Sequence, residues 1–402
     1  MTLAPNVHDA EPIPDEARAE IDRMLASGDL FRYTAAADAP VSLLEAEFAG
    51  AMGVKYALAV ASASAALFLS LKALGLPRDA RVLIPAFTFA AVPSAIVHAD
   101  CVPVLAEVGT NYRLDMADFA ARLDDSIAAV MISHMRGHTS DMDRIMALCD
   151  ARGIPVIEDA AHSLGTLWHG RKVGTLGKVG VFSFQSYKMI NGGEGGIMIS
   201  DDPDLIARAV LMSGAYEHNW KKHKGPDGKS DPELEAAFAR WQNRLPLYNT
   251  RMSNLPAAVI RPQIPELARR IADGLANHDY TAAKLNTCRW IEVPPPLPPE
   301  TRAPDSIQFN LVGLTDEEVL AFQALAGGRG VTVQVFGMSE NNARAFWNWK
   351  FLPEDPGPLP RTRAMLMRAC DVRLPVRLKR PELDFIARTL IGAVEEVKQA
   401  AA

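Results

Sequence analysis

From Lys55 to Ser200 the chain alternates short, wholly apolar runs with stretches at helical spacing, and no other feature narrows its fold as far. The runs at residues 56–61, 81–84, 102–107, 128–133, 155–158, 179–184 and 196–200 read as strands. Helical patterns lie between several of them, at 64–74, 89–99 and 141–152. A strand that is apolar at every position has no face to show to water. Strands of this kind, separated by helices, predict the α/β class: a mostly parallel seven-stranded sheet with helices on both faces. Ligands then bind beyond the carboxyl ends of the strands. The pattern leaves open whether one of the last strands runs antiparallel.

A chain of 402 residues is long for one core and suits a large domain with a smaller one. Residues 1–40 read as an N-terminal arm, with a short helix at 16–26 and breaks at Gly28 and 35–40. Residues 41–290 form the expected large domain, opened by an amphipathic helix at 41–52 that Gly53 ends. Within it, 215–248 is an excursion: Trp220-Lys-Lys-His-Lys224, the turn Gly225-Pro-Asp-Gly228, then a polar helix at 233–242. A proline-rich stretch from Val293 opens the small C-terminal α+β domain, 291–402. Strand 306–312, helix 317–325, strand 331–336 and a final helix at 382–398 are predicted there.

Charge and cysteine usage exclude several classes of function. The net charge of −6 gives no general attraction to nucleic acid or to an anionic membrane. Cys101, Cys149, Cys288 and Cys370 are far apart with no CxxC pair, which argues against a zinc site or a disulfide framework and for reduced thiols in the cytoplasm. Asp9, Glu11, Asp15 and Glu16 stand where a signal peptide would be apolar. The uncharged runs 56–71 and 82–99 are too short, or too broken by Pro85 and Pro93, to span a membrane.

The chemistry concentrates at two strand ends. Lys188 lies between the run 179–184 and the glycine-rich turn Gly192-Gly-Glu-Gly-Gly196, where its amine can reach into a cleft. Upstream, Ile157-Glu-Asp159-Ala-Ala-His162 closes another strand with a carboxylate and an imidazole. An amine to condense with an aldehyde, and an acid to hold a pyridine nitrogen, are what pyridoxal phosphate requires. The glycines lack the GxxxxGKS order and precede a strand, so they form no nucleotide-binding P-loop. Trp220–Lys224 reads either as a grip for a substrate phosphate or, more simply, as a solvated loop.

Further landmarks stand in order: Phe48-Ala-Gly-Ala-Met-Gly53, Pro85-Ala-Phe-Thr-Phe89, His134-Met-Arg-Gly137, Phe182-Ser-Phe184 and Asn249-Thr-Arg-Met252. With these the chain resembles the DegT/DnrJ/EryC1/StrS family of pyridoxal-phosphate aminotransferases, best known for aminating keto-sugars on nucleotide carriers. The match is dense over 41–255 and loose beyond. It implies a fold-type-I transferase, a homodimer with shared active sites, and Lys188 as the cofactor-binding and proton-carrying lysine. It also implies glutamate or glutamine as donor and a keto-sugar or similar cyclic ketone as acceptor.

The same resemblance assigns cofactor contacts. Asp159 would face the pyridine nitrogen, its competing reading being a helix N-cap. His162, where several relatives carry glutamine, would bond the phenolic oxygen or simply pack. The amides of Ala63 and Ser64, the Ser64 hydroxyl and Ser183 would hold the phosphate, although both serines could cap backbone groups instead. Phe89 would stack on the ring or sit in the core. Asn249 would reach the partner's cofactor phosphate. Two other functions stay open: a sugar dehydratase, whose known members lack the lysine, and a cofactor-binding regulator without turnover.

Overall fold

The apolar runs form a seven-stranded sheet in the computed structural model, which describes residues 4–7, 10–34, 38–225, 228–339 and 341–400. The breaks expected at 35–40 and at Gly225-Pro-Asp-Gly228, and Asp9, fall wholly or partly outside these residues. In chain order the strands of this part are β1 (Tyr56–Val60), β2 (Arg81–Pro85), β3 (Val102–Ala106), β4 (Ile127–Ser133), β5 (Val156–Asp159), a small hairpin of β6 (Leu167–Trp168) and β7 (Arg171–Lys172), β8 (Val179–Ser183) and β9 (Gly196–Ser200). The main sheet has the order β1-β9-β8-β5-β4-β2-β3. Strands β8, β5, β4, β2 and β3 pair in parallel, and β9 alone runs against its two neighbours.

Alternate residues of each strand enter different cores, which is why the runs have no polar face. Val82, Ile84, Met131, Val181 and Met198 pack on one side, and Leu83, Val130, Ile132, Phe182 and Ile197 on the other. Each such side chain stabilises the fold by roughly 1.5–3 kcal/mol. The helices of this part are α1 (Asp15–Ser27), α2 (Pro40–Met52), α3 (Ala63–Leu74), α4 (Ala91–His98), α5 (Met116–Arg122), α6 (Met142–Asp150), α7 (Pro203–Gly214), α8 (Pro232–Trp241), α9 (Asn254–Ile260) and α10 (Leu267–Leu285). Helix α6 starts one residue later than the pattern predicts because Asp141 is its cap, accepting from Arg144 N at 3.1 Å. Helix α4 starts two residues late; Ala90 N instead donates to Ala343 O at 2.9 Å, a contact with the far end of the chain.

From Ile291 onward the chain forms β11 (Glu300–Thr301), which pairs with β6, and a four-stranded antiparallel sheet in the order β10-β12-β14-β13. Its strands are β10 (Ile291–Glu292), β12 (Ser306–Leu311), β13 (Gln334–Val335) and β14 (Ala369–Arg373). Helices α11 (Asp316–Gly328) and α13 (Arg380–Ala400) cover it, and α12 (Pro360–Leu366) leads into β14. The strand predicted at 331–336 shrinks to two residues, because Val331 N closes the end of α11 on Ala326 O at 3.0 Å. Glu300 joins the two parts of the molecule: it pairs with Arg113 and Arg302 and accepts from Thr139 N at 2.6 Å. Among the described residues no helix is long and apolar enough to cross a membrane, and all four cysteines are buried and free.

The basic stretch 220–224 is docked through Trp220, Lys222 and His223, while Lys221 and Lys224 are exposed to solvent. Trp220 packs on Phe238 with ring centroids 5.2 Å apart, and His223 Nε2 lies 2.8 Å from the Tyr33 hydroxyl. The Lys222 amine donates to Tyr33 O.

Candidate active site

Parallel strands β4, β5 and β8 end side by side, placing Ser133, Asp159 and Ser183 at one edge of the main sheet. Asp159 is buried there, its Oδ2 accepting from Ser133 Oγ at 2.9 Å and its Oδ1 from Ala161 N at 3.1 Å. Burial raises its proton affinity above the usual carboxylate range, against the opposing effect of those hydrogen bonds. No helix starts at Asp159, so the capping reading does not apply.

The antiparallel return from β8 to β9 carries Lys188. Gly192 N bonds Phe184 O at 2.7 Å, Phe184 N bonds Gly195 O at 2.9 Å and Ser186 N bonds Gly193 O at 3.1 Å, so the turn is closed on itself. Arg270 of α10 supports it from below, with Nη1 donating to Met189 O at 2.9 Å. The Lys188 amine ends 2.9 Å from His162 Nε2 and 3.2 Å from Nδ1. Burial, and after it the charge of Arg136, brings the lysine down to about 7. Burial and the nearby Lys188 and arginines hold His162 well below its ordinary value, so its ring is neutral beside the amine.

These groups face a cavity of about 540 Å³. Of the residues singled out in the sequence, Lys188, Asp159, His162, Ser183, Ala63, Ser64 and Phe89 all line it. Phe89 is 42% exposed and so is no core residue. Asn249 lies outside this lining, in a left-handed conformation (φ 53°), with its Oδ1 accepting from Arg251 Nη1 at 2.7 Å. Sequence reasoning assigned no role to Arg136, Gln334, Arg344 and Arg373, which also line the cavity. Arg136 follows β4 in a left-handed turn (φ 56°), a conformation no glycine announces. Gln334 and Arg373 arrive on β13 and β14, and Arg344 on the segment whose Ala345 bridges Phe87.

The donor set fits pyridoxal phosphate. Ser62 caps α3 through Ala65 N at 3.1 Å, and the next amides, Ala63 and Ser64, are first-turn donors without intrahelical acceptors, suited to an anion. Gly196 of β9 packs against this turn so closely that a Cβ there would stand 2.3 Å from Ala63 N. A deprotonable amine, a buried carboxyl and a helix N-terminus thus surround one cavity.

A seven-stranded, mostly parallel sheet with this site beyond its strand ends, joined to a C-terminal antiparallel sheet, defines the fold-type-I class of pyridoxal-phosphate enzymes. The chain belongs to the DegT/DnrJ/EryC1/StrS aminotransferase family, whose model matches residues 14–390. It is 34% identical over 220 residues to GDP-perosamine synthase of Vibrio cholerae, covering 54% of this chain and 55% of that one. It is 30% identical over 259 residues to 3-amino-5-hydroxybenzoate synthase of Amycolatopsis mediterranei, covering 64% and 62% of the two chains. Each match thus spans little more than half of the relative's length. The crystal structure of a 3-amino-5-hydroxybenzoic acid synthase superposes with a TM-score of 0.84 at 25% identity, over 98% of this chain and 100% of that one.

Proposed function

We propose that the protein is a pyridoxal-phosphate aminotransferase that moves an amino group from glutamate or glutamine to a cyclic ketone, a keto-sugar or a similar ring. The observation that carries this reading is the Lys188 amine, brought to about 7 and set 2.9 Å from a neutral imidazole in a cavity that Asp159 also lines. When bound, the cofactor supplies the aldehyde and the electron-withdrawing ring. Lys188, unprotonated in about half of the molecules at pH 7, is the amine that holds the cofactor and later carries the proton to and from the reacting carbon. Asp159, kept dry and oriented by Ser133 and Ala161, holds the proton on the pyridine nitrogen. His162 positions the Lys188 amine and bonds the phenolic oxygen. The α3 N-terminus and Ser183 hold the phosphate, and Phe89 stacks on the ring.

We also propose a homodimer. A second cavity, lined by Ser64, Phe89, Tyr248 and Thr250 among others, adjoins the first, and in a dimer Asn249 would contribute to the partner's site from there.

The test is spectroscopic. Glutamate added to the cofactor-loaded protein should remove the visible band of lysine-bound cofactor, and a ketone acceptor should restore it. Lys188→Ala should abolish both changes and the borohydride-trapped peptide. Turnover in that variant, or a trapped label on another amine, would sink the assignment. The dehydratase reading lacks support because its known members have no lysine here. A regulator without turnover would leave the band unchanged with every donor.

A further inference from the structure

The cavity holds more positive charge than the cofactor contacts use. Arg136, Arg344 and Arg373 all line it, and each has a buried Nε without a hydrogen-bond partner among the described residues. Their other contacts are uneven. Arg136 Nη2 lies 2.6 Å from Asp371 Oδ2. Arg344 Nη1 donates to the neutral Gln334 Oε1 at 3.0 Å, and the Arg373 guanidinium lies 4.4 Å from the Tyr187 ring centroid. Burial first and Arg136 second bring Arg344 down to about 10; burial also lowers Arg373, with Arg136 acting in the same direction and Asp305 against it. Asp371 offsets Arg136, and the partly desolvated Arg344 and Arg373 guanidinium groups beside it remain an electrostatic cost that an anion relieves.

On the aminotransferase reading, which the clamp inferred here presupposes, both substrates of a two-stage transfer occupy this cavity in turn. The amino acid donor brings a carboxylate, whose planar oxygens match a guanidinium fork. Once the donor product leaves, the acceptor meets the same three cations. A neutral acceptor would exclude water from Arg344 and Arg373 without supplying an anion to either. We infer that Arg136, Arg344 and Arg373 form a carboxylate clamp that serves both substrates, and that the acceptor is a cyclic ketone bearing a carboxylate of its own.

Two ring ketones that differ only in that group test the inference: 3-oxocyclohexane-1-carboxylate and cyclohexanone, titrated by calorimetry into the cofactor-loaded protein. The carboxylate probe should bind roughly tenfold or more tighter, and Arg344→Gln and Arg373→Gln should each weaken it by roughly 10–100-fold while leaving cyclohexanone unchanged. Release of oxo acid from glutamate should slow in the same variants, with the cofactor band as the control for folding. Equal binding of the two probes, or a preference that survives both substitutions, would overturn the clamp. Displacement of the carboxylate probe by uridine diphosphate through the same arginines would overturn the carboxylate in favour of a phosphate. Failure of the aminotransferase reading looks different: glutamate would leave the cofactor band unchanged while the two probes were still discriminated.

Discussion

A lysine that titrates near neutrality can be told from an ordinary one by how steeply its reactivity rises with pH. At the value of about 7, against 10.5 for a lysine in water, half of the Lys188 amine is free at pH 7. An ordinary lysine would have roughly one molecule in 3,000 free at that pH. Raising the pH frees the amine, so labelling must increase through the transition and level off above it. Between pH 6 and pH 8 the free fraction should rise about tenfold for Lys188 and about a hundredfold for an unperturbed lysine. Trace acetylation of the cofactor-free protein, quantified on the Lys188 peptide against a free-amine standard, reads this ratio directly. Arg136 is the largest charged contributor to the shift, so Arg136→Met should move the midpoint upward, by roughly one unit. The pH 6 to pH 8 ratio would then approach about fiftyfold. A hundredfold rise in the unaltered protein, or a ratio indifferent to Arg136, would refute the account of how the amine is activated.

The same geometry fixes other outcomes. Asp159→Asn keeps one acceptor oxygen for Ala161 N and turns its NH2 to the Ser133 hydroxyl, which can accept, but it cannot hold a proton on the pyridine nitrogen, so steady-state turnover should fall by roughly a hundredfold or more while absorbance shows cofactor still bound. Gly196→Ala would place a Cβ 2.3 Å from Ala63 N, so cofactor affinity measured by fluorescence titration should drop at least tenfold, with about 1–3 kcal/mol lost in urea denaturation. Glu300→Ala leaves Arg113 and Arg302 buried without their shared carboxylate, and urea denaturation should show a loss of about 3–5 kcal/mol.

Sequence reasoning located the strands of the main sheet to within a residue or two because burial on both faces leaves only apolar side chains. It missed α10 altogether. The fully buried positions of that helix are Arg270, Gly274, His278, Thr281 and Leu285, while Leu267 and Ile271 are only partly buried against the core, so polar residues interrupt its apolar stripe. The polar groups are there for bonding, as Arg270 to Met189 O illustrates. The site divides along similar lines. Lys188, Asp159 and Ser183 sit at strand ends that are legible locally, and a Ser-Ala-Ser step before a helix is a readable anion cradle. Arg344 and Arg373 reach the cavity through β13, β14 and the bridge of Ala345 to Phe87, pairings between segments far apart in the chain. No short window of sequence encodes such a meeting.

The reversal of β9 makes the segment around Lys188 a closed hairpin, hydrogen-bonded at both ends to the sheet, where a crossover to a helix would have left one end loose. An inserted or deleted residue there would throw two central strands out of register at once. Two of the guanidinium walls are mounted elsewhere, Arg344 beside the bridge of Ala345 to Phe87 and Arg373 on β14 of the C-terminal sheet. The C-terminal part can therefore change the walls of the cavity while the Lys188 amine stays where the main sheet puts it.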